Sequence, residues 1–327
     1  MDPSFSILPL LGSVLGAAAP LILIAEGETI CEKSGVINLS LDGSVLLAAM
    51  SAFVAAQQSN SLIVGFLAGG FTGMLTGLVI VLFSIHLRLA QVAVGFALSL
   101  MCRDLAYFLG NPYSRTQGPQ MLAFQLPFTD RLSPELATLF HQPLIVYFAL
   151  LLVLLLWWFF SFTRTGLIVK AVGENPAAAF ARGINPLLVR VAAVLTGSFL
   201  VGLGGAAFSL CIKPGWGRPQ GAEGIGWIGL ALVIFGGWNP VRVFVGSLLF
   251  AFLQVSGISL QNIFPAIPAQ VFQTAPFPLM IFALVFMHYS GKKPAEKSGK
   301  SFSSGTFLRL IFSGRSPQAL GENYRQD

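Results

Sequence analysis

Eight stretches of this 327-residue chain are long and apolar enough to cross a lipid bilayer as helices, and no other feature limits its fold as strongly. With soft edges they cover residues 7 to 25, 35 to 56, 61 to 85, 89 to 110, 143 to 162, 187 to 211, 243 to 261 and 268 to 288. A spanning helix needs roughly 20 mostly apolar residues, since each adds about 1.5 Å against a hydrocarbon core of about 30 Å. A further stretch, 224 to 238, is apolar but short and rich in glycine, and is counted as a crossing. The expected architecture is all-α and polytopic, with about 8 to 9 transmembrane helices.

Composition agrees. Charged residues make up 10% of the chain, and the mean hydropathy is +0.77. A soluble domain carries about 25% charged residues, so an ordinary soluble enzyme, a disordered chain, a collagen-like chain and a nucleic-acid-binding module are all excluded. The net charge of +6 belongs mainly to the end of the chain, where Lys292, Lys293, Lys297, Lys300, Arg309, Arg315 and Arg325 fall. Residues 1–290 are thus expected to form a transmembrane domain and 291–327 a basic, flexible cytoplasmic tail. Cys31, Cys102 and Cys211 have neither CxxC nor paired spacing and read as packing residues, not a disulfide or a metal site. The start Met-Asp-Pro lacks a basic segment and a small-residue cleavage site, so the first span is expected to remain in the membrane.

Short cytoplasmic loops carry an excess of Lys and Arg. With nine crossings and the tail inside, fourteen of the 19 basic residues lie inside and five outside: Arg103, Arg115, Arg131, Lys213 and Arg218. The N-terminus is then expected outside and the C-terminus in the cytoplasm. If 224 to 238 dips in and returns, everything before it inverts.

Gly65, Gly69, Gly73 and Gly77 recur every fourth residue and form a smooth stripe on the third span, where another helix can approach closely. The most polar stretch of any span is Ser34-Gly-Val-Ile-Asn38-Leu-Ser40-Leu-Asp42-Gly43. A carboxylate at depth is costly unless paired, wet or neutralised, and marks a functional candidate. Two readings fit: a broken helix start facing a water-filled path, or simple capping of the second helix by Asn38 and Asp42. A Gly-interrupted counterpart lies at Gly224 to Gly229 and Gly236-Gly-Trp238-Asn239-Pro240, and paired discontinuous helices of this kind mark transporter binding sites. Arg103 and Asp104 also sit inside a span; about 100° apart around the helix, they are not expected to face each other.

The loop 163–186 contains a short helix written in its caps. Asn175 is a good N-cap, Pro176 suits the first position, Ala177 to Arg182 are helix-compatible, Gly183 suits a left-handed C-terminal position and Pro186 blocks continuation. Glu174 and Arg182 complement the helix dipole. Alone in a loop, such a helix needs outside packing, as a partner protein would provide. Catalysis has no such signature. His86, His141 and His288 lie apart without a triad or HExxH, and the Gly299-Lys300-Ser301 tripeptide has Pro294 where a phosphate-binding loop needs glycine.

Four segments carry a resemblance. Glu32-Lys-Ser-Gly-Val-Ile-Asn38-Leu-Ser-Leu-Asp42-Gly43, Leu87-Arg-Leu-Ala-Gln91-Val92, Thr165 to Asn185 with Gly173-Glu-Asn-Pro-Ala-Ala178-Ala-Phe-Ala-Arg-Gly183, and Ala231 to Pro240 occur in order. They resemble the bacterial binding-protein-dependent ABC importer permeases of the branched-chain amino acid and simple sugar group, closest to the nucleoside and simple-sugar permeases. The resemblance implies a non-enzymatic subunit of the bacterial inner membrane that holds no cofactor. ATP and Mg would be handled by a separate ABC ATPase, with a second permease chain and an extracytoplasmic solute-binding protein completing the system. It implies that the loop around Gly173, Glu174, Asn175, Pro176, Ala178, Arg182 and Gly183 couples to the ATPase, and that Asn38 and Asp42 line the path, to which Ser40, Gln91, Trp227, Trp238 and Asn239 are added as candidates. The outer loop 111–142, with Arg115, Asp130, Arg131 and Glu135, is the expected docking place for the binding protein. The tail's Phe307, Leu308, Leu310, Ile311 and Phe312 suit either an anionic lipid surface or disorder. The rival reading is an ion-gradient-driven carrier or channel using Asp42 or Asp104.

Overall fold

The structure, a computed structural model, describes residues 7–124, 134–263 and 316–322, together with Pro278 and Tyr324. The expected span 268 to 288 lies almost wholly outside the described residues. What is described is helical: α1 (Ile7–Lys33), α2 (Leu41–Ser59), α3 (Leu62–Ile80), α4 (Gln91–Gly110), α5 (Pro134–Leu139), α6 (Leu144–Phe162), α7 (Arg164–Glu174), α8 (Pro176–Ala181), α9 (Pro186–Ala207), α10 (Ile225–Phe235) and α11 (Pro240–Ile263). Among the described residues six helical runs are long and apolar enough to cross a bilayer: Leu8–Lys33, Leu62–His86, Gln91–Tyr113, Leu144–Phe162, Pro186–Ile212 and Pro240–Gly257. α3 and α9 end in wider π-helical turns, Val81–His86 and Phe208–Ile212.

α1 is the axis of the bundle. Ala18, Leu23, Ile24 and Ala25 have essentially no exposed surface, and α6, α9, α10 and α11 all pack on this helix. One core joins α1 to α2 and α10 through Leu21, Ile24, Leu41, Phe53, Ile228 and Leu232. A second lies between α1, α6 and α9 around Ile22, Leu23, Ala149, Val153 and Ala207. The outer faces reverse the soluble pattern: Ile63, Phe71 and Leu75 on α3, Phe96 and Phe108 on α4, and Leu154 and Phe162 on α6 are exposed. Such a belt suits hydrocarbon and not water.

The glycine stripe of α3 meets α2 and α9. Gly69 faces Ala206 and Ala52, Gly73 faces Gly202, and Gly77 faces Ser198; Gly65 lies against Ala56 and Leu210. A methyl group at Gly73 would stand 2.7 Å from Gly202 Cα, so the two backbones touch.

The end of α1 departs from the sequence expectation. The first apolar run stops at residue 25, yet the helix continues through Glu26, Glu28 and Glu32 to Lys33, with all three carboxylates buried. Charge ends a hydropathy run, but three helical carboxylates facing packed neighbours do not end a helix. At Gly35, φ is +92°, and the N–H groups of Ser34 and Gly35 turn back to Cys31 O and Glu32 O. Glycine takes this conformation without strain, and α1 stops there.

Candidate functional site

Residues 34–40 interrupt the helical path between α1 and α2 while staying buried, except for half-buried Ile37 and Leu39. Non-helical backbone at such depth needs side-chain partners. Three are present: Asn38 N donates to Glu28 Oε1 at 3.0 Å, Ile37 N to Gln91 Oε1 at 2.9 Å, and Ser40 N to Asn38 Oδ1 at 3.0 Å. Ser40 Oγ also donates to Asn38 Oδ1 at 2.6 Å, and Asn38 Nδ2 reaches Ser198 Oγ on α9 at 3.5 Å. The break is therefore held by polar groups from α1, α4 and α9.

The second interrupted segment meets the first. Gly224, with φ of +83°, opens α10, and its N–H donates to Asp42 Oδ1 at 2.7 Å. A carboxylate at a helix N-terminus is favourably placed toward the unpaired amides and the dipole. No side chain fits at Gly226, which lies on the Leu41–Asp42 backbone. The loop before α10 is organised by Glu223, which accepts from Gln220 N at 2.9 Å, from Gly221 N at 2.6 Å and from Tyr107 O–H. Partial burial pushes the Glu223 carboxyl upward, but these hydrogen bonds outweigh it and leave its pKa below the ordinary glutamate value.

Of the seven candidate path residues, Asn38, Ser40, Asp42 and Gln91 gather at the break, all buried. Trp238, just beyond the far end of α10, donates from Nε1 to Glu32 Oε2, tying the end of α10 to the last turn of α1. Trp227 lies apart on the exposed face of α10, its ring 6.4 Å from Phe96. Asn239 serves α11 by accepting from Val241 N at 3.1 Å, a helix-capping role.

The site also contains three side chains that the sequence reading passed over. Glu28 and Glu32, one helical turn apart, bond Asn38 and Trp238, while Glu26 is fully buried with neither oxygen hydrogen-bonded among the described residues. Their i, i+4 spacing beside the break was the available signal. Arg103 and Asp104 correct another expectation. Arg103 Nε approaches Asp104 Oδ1 at 4.0 Å on the exposed side of α4, since the long arginine side chain can reach across to its neighbour. Exposed at that distance, the pair contributes little. Among the described residues no cluster of metal-ligating side chains occurs.

The loop 163–186 folds as two helices, α7 and α8. Asn175 Oδ1 accepts from Ala178 N at 2.9 Å, Pro176 opens α8, and Gly183 takes φ of +81°. Gly183 N donates to Phe180 O at 2.8 Å and Ile184 N to Ala179 O at 3.1 Å, the paired bonds of a Schellman ending. Glu174, Ala178, Arg182 and Gly183 are exposed, whereas Gly173 is buried against the carbonyl of Lys33. α8 is thus an exposed capped helix whose root touches the end of α1.

Residues 10–285 match the family described as branched-chain amino acid transport system / permease component. The chain belongs to this family. Relatives of this permease include TsgC13 of Haloferax volcanii, provisionally named a glucose ABC transporter permease, which is 34% identical over 261 residues covering 78% of each chain. A nucleoside ABC transporter permease of Lactococcus lactis is 31% identical over 305 residues, 88% of this chain and 94% of its own. A guanosine ABC transporter permease of Bacillus subtilis is 29% identical over 300 residues, 86% and 92% of the two chains. No solved structure matches. The protein is a multi-pass membrane permease subunit of an ABC importer, and the apolar belt around α3, α4 and α6 meets the bilayer. As a permease component it is the part of the system that conducts, not the part that catalyses.

Proposed function

We propose that this permease carries a nucleoside or a simple sugar into the cell by alternating access, with the path running along the α1–α2 break and the start of α10. The observation that carries this reading is the hydrogen bond from Gly224 N to Asp42 Oδ1, which brings two interrupted segments into one polar site. The relatives named for nucleosides and glucose support the substrate class. The hydroxyl-rich solute would exchange hydrogen bonds with Asn38, Ser40, Asp42 and Gln91, while ATP and Mg act in a separate ATPase subunit.

In this reading about eight to nine helices cross the membrane, with the N-terminus outside and the C-terminus in the cytoplasm. Arg115 N donates to Trp216 O just after α9, whereas Trp238, just before α11, reaches Glu32 at the other end of the bundle, so α10 with its preceding loop bridges the two sides. The exposed helix α8 docks on the ATPase and moves the end of α1 through Gly173. The outer loop 111–142 receives the solute-binding protein; its Asp130 and Arg131 lie outside the described residues. A second permease chain, identical or different, completes the channel. Residues 1–290 form the permease domain and 291–327 the cytoplasmic tail.

Purification of the tagged chain from its native membrane, with ATPase activity measured, tests the reading. An ATPase subunit is expected to co-purify and to be lost when Arg182→Glu and Gly183→Pro are combined. A chain that comes down without any ATPase would overturn the ABC coupling and favour a gradient-driven carrier.

A further inference from the structure

The last described residues, 316–322 and Tyr324, pack onto the end of the bundle that carries α8. Ala319 N donates to Gly173 O at 2.9 Å, and Gly321 N donates to Gly35 O at 3.0 Å. Two backbone hydrogen bonds thus join the segment to the last turn of α7 and to the turn that ends α1. Pro317 and Ala319 are buried. Gly321 has φ of +80°, and a side chain there would press on Ile37 at 3.1 Å.

Arg190, in the first turns of α9, closes the third side. Its side chain is 2% exposed and donates to Ser34 O at 3.2 Å, Ala319 O at 3.5 Å and Glu322 O at 2.8 Å. Two of these three acceptors belong to the C-terminal segment. With the segment seated, its two carbonyls satisfy a guanidinium that burial would otherwise leave short of acceptors. The crevice is also shaped for its occupant: a Cβ on Gly35 would stand 2.8 Å from Arg190 Nη2 and 3.1 Å from Ala319 O. Tyr324 completes the seat, with its ring 6.5 Å from that of Phe180 on α8, and it lines one small cavity together with Ser84, Ile85, Gln91 and Leu187.

We infer that the crevice bounded by Gly35, Gly173 and Arg190 is a peptide-binding site, that its occupant is this chain's own C-terminal segment, and that the seated segment latches the cytoplasmic end of the α1–α2 break. The inference rests on the transport reading above, in which this end faces the cytoplasm. The segment bonds α1, α7 and α9 at once, so those elements separate there only after it leaves. A solute leaving the break past Gln91 needs that separation. The ligand chemistry is a short peptide that turns two carbonyls to a guanidinium, donates two backbone amides and carries no side chain at the position of Gly321.

Ser84, buried in the lining of the cavity that Tyr324 closes, is the reporter. In the full-length Ser84→Cys protein in inside-out vesicles, labelling by a water-soluble maleimide should be slow. Deletion of residues 316–327, or Gly321→Val in the intact chain, should speed it by about tenfold or more, as expected for a protecting element that has come off. A synthetic peptide of residues 316–324 should slow it again. Equal labelling with and without the segment overturns the latch. A second test leaves the fold intact. Leu187→Cys and Tyr324→Cys, which line one small cavity away from α8, joined by a short, reducible thiosulfonate linker should stop solute uptake, and reduction should restore it. Uptake that continues in the cross-linked protein overturns the latch. Failure of the transport reading itself is separate: it appears as an uncross-linked complex with no ATPase and no uptake, whatever the labelling rates.

Discussion

Asp42 and Gly224 are 182 positions apart in the chain, yet Oδ1 of the first accepts the backbone N–H of the second at 2.7 Å. The bond joins the first turn of α2 to the residue that opens α10, so neither interrupted helix has a complete polar end without the other.

Asp42→Ala should therefore lower uptake by about tenfold, since losing the acceptor of this partly buried amide costs about 1 kcal/mol or more. Asp42→Asn keeps an oxygen at the same place and should retain most uptake. Cellular uptake with thermal unfolding of the purified variants is the measurement. An Ala variant that transports like the parent would remove Asp42 from the path.

Gly73→Val should destabilise the bundle by about 1–3 kcal/mol, because its side chain has no room beside Gly202 and the backbones must part. The midpoint of thermal unfolding in detergent should fall by several degrees. Ile63→Val, on the exposed face of α3, should leave it unchanged.

Asn175→Ala removes the acceptor for Ala178 N and should weaken α8 by about 1 kcal/mol. Co-purification of the ATPase and solute-stimulated hydrolysis should fall, while the unfolding temperature of the membrane part stays the same. Asn175→Ser should restore most of the loss. Retention of full coupling in the Ala variant would show that α8 is not the docking element.

Glu223 gives a pH dependence of known sign. Its pKa in the folded protein lies below the ordinary value, so its contribution to the loop is present above the unfolded-state pKa and is lost as the pH falls through the folded-state pKa. Hydrogen exchange at Gln220 and Gly221 should be protected at neutral pH, corrected for intrinsic rates, and lose protection as the medium becomes acidic. Glu223→Gln, which keeps one acceptor oxygen and cannot ionise, should leave a weaker protection that no longer depends on pH.

Much of the architecture was legible because bilayer physics writes long signals: apolar runs of spanning length, a four-residue glycine stripe, and a helix announced by Asn175, Pro176 and Gly183. Those caps act within a few residues, and sequence order alone specifies them. The carboxylates of α1 were hidden for the opposite reason. Glu28 and Glu32 are stabilised by Asn38 and Trp238, and only the folded chain brings Trp238, 206 positions away, to Glu32. Asn239 looked like a path residue because it sits in a Gly-Trp-Asn-Pro run, but a residue before proline at a helix start is well placed to cap. Nothing in Ser316 to Tyr324 signalled docking, since its main attachments are backbone amides and carbonyls that any sequence possesses.

The contact between Gly73 and Gly202 has a mechanical consequence. Where two helices touch backbone to backbone, no side chain lies between them to change rotamer, so sliding has nothing to absorb it. α3 and α9, with α2 wedged beside them, behave as one stiff plate. Under the alternating access proposed above, rocking would hinge outside that plate, at the joints where α1 stops and α10 starts.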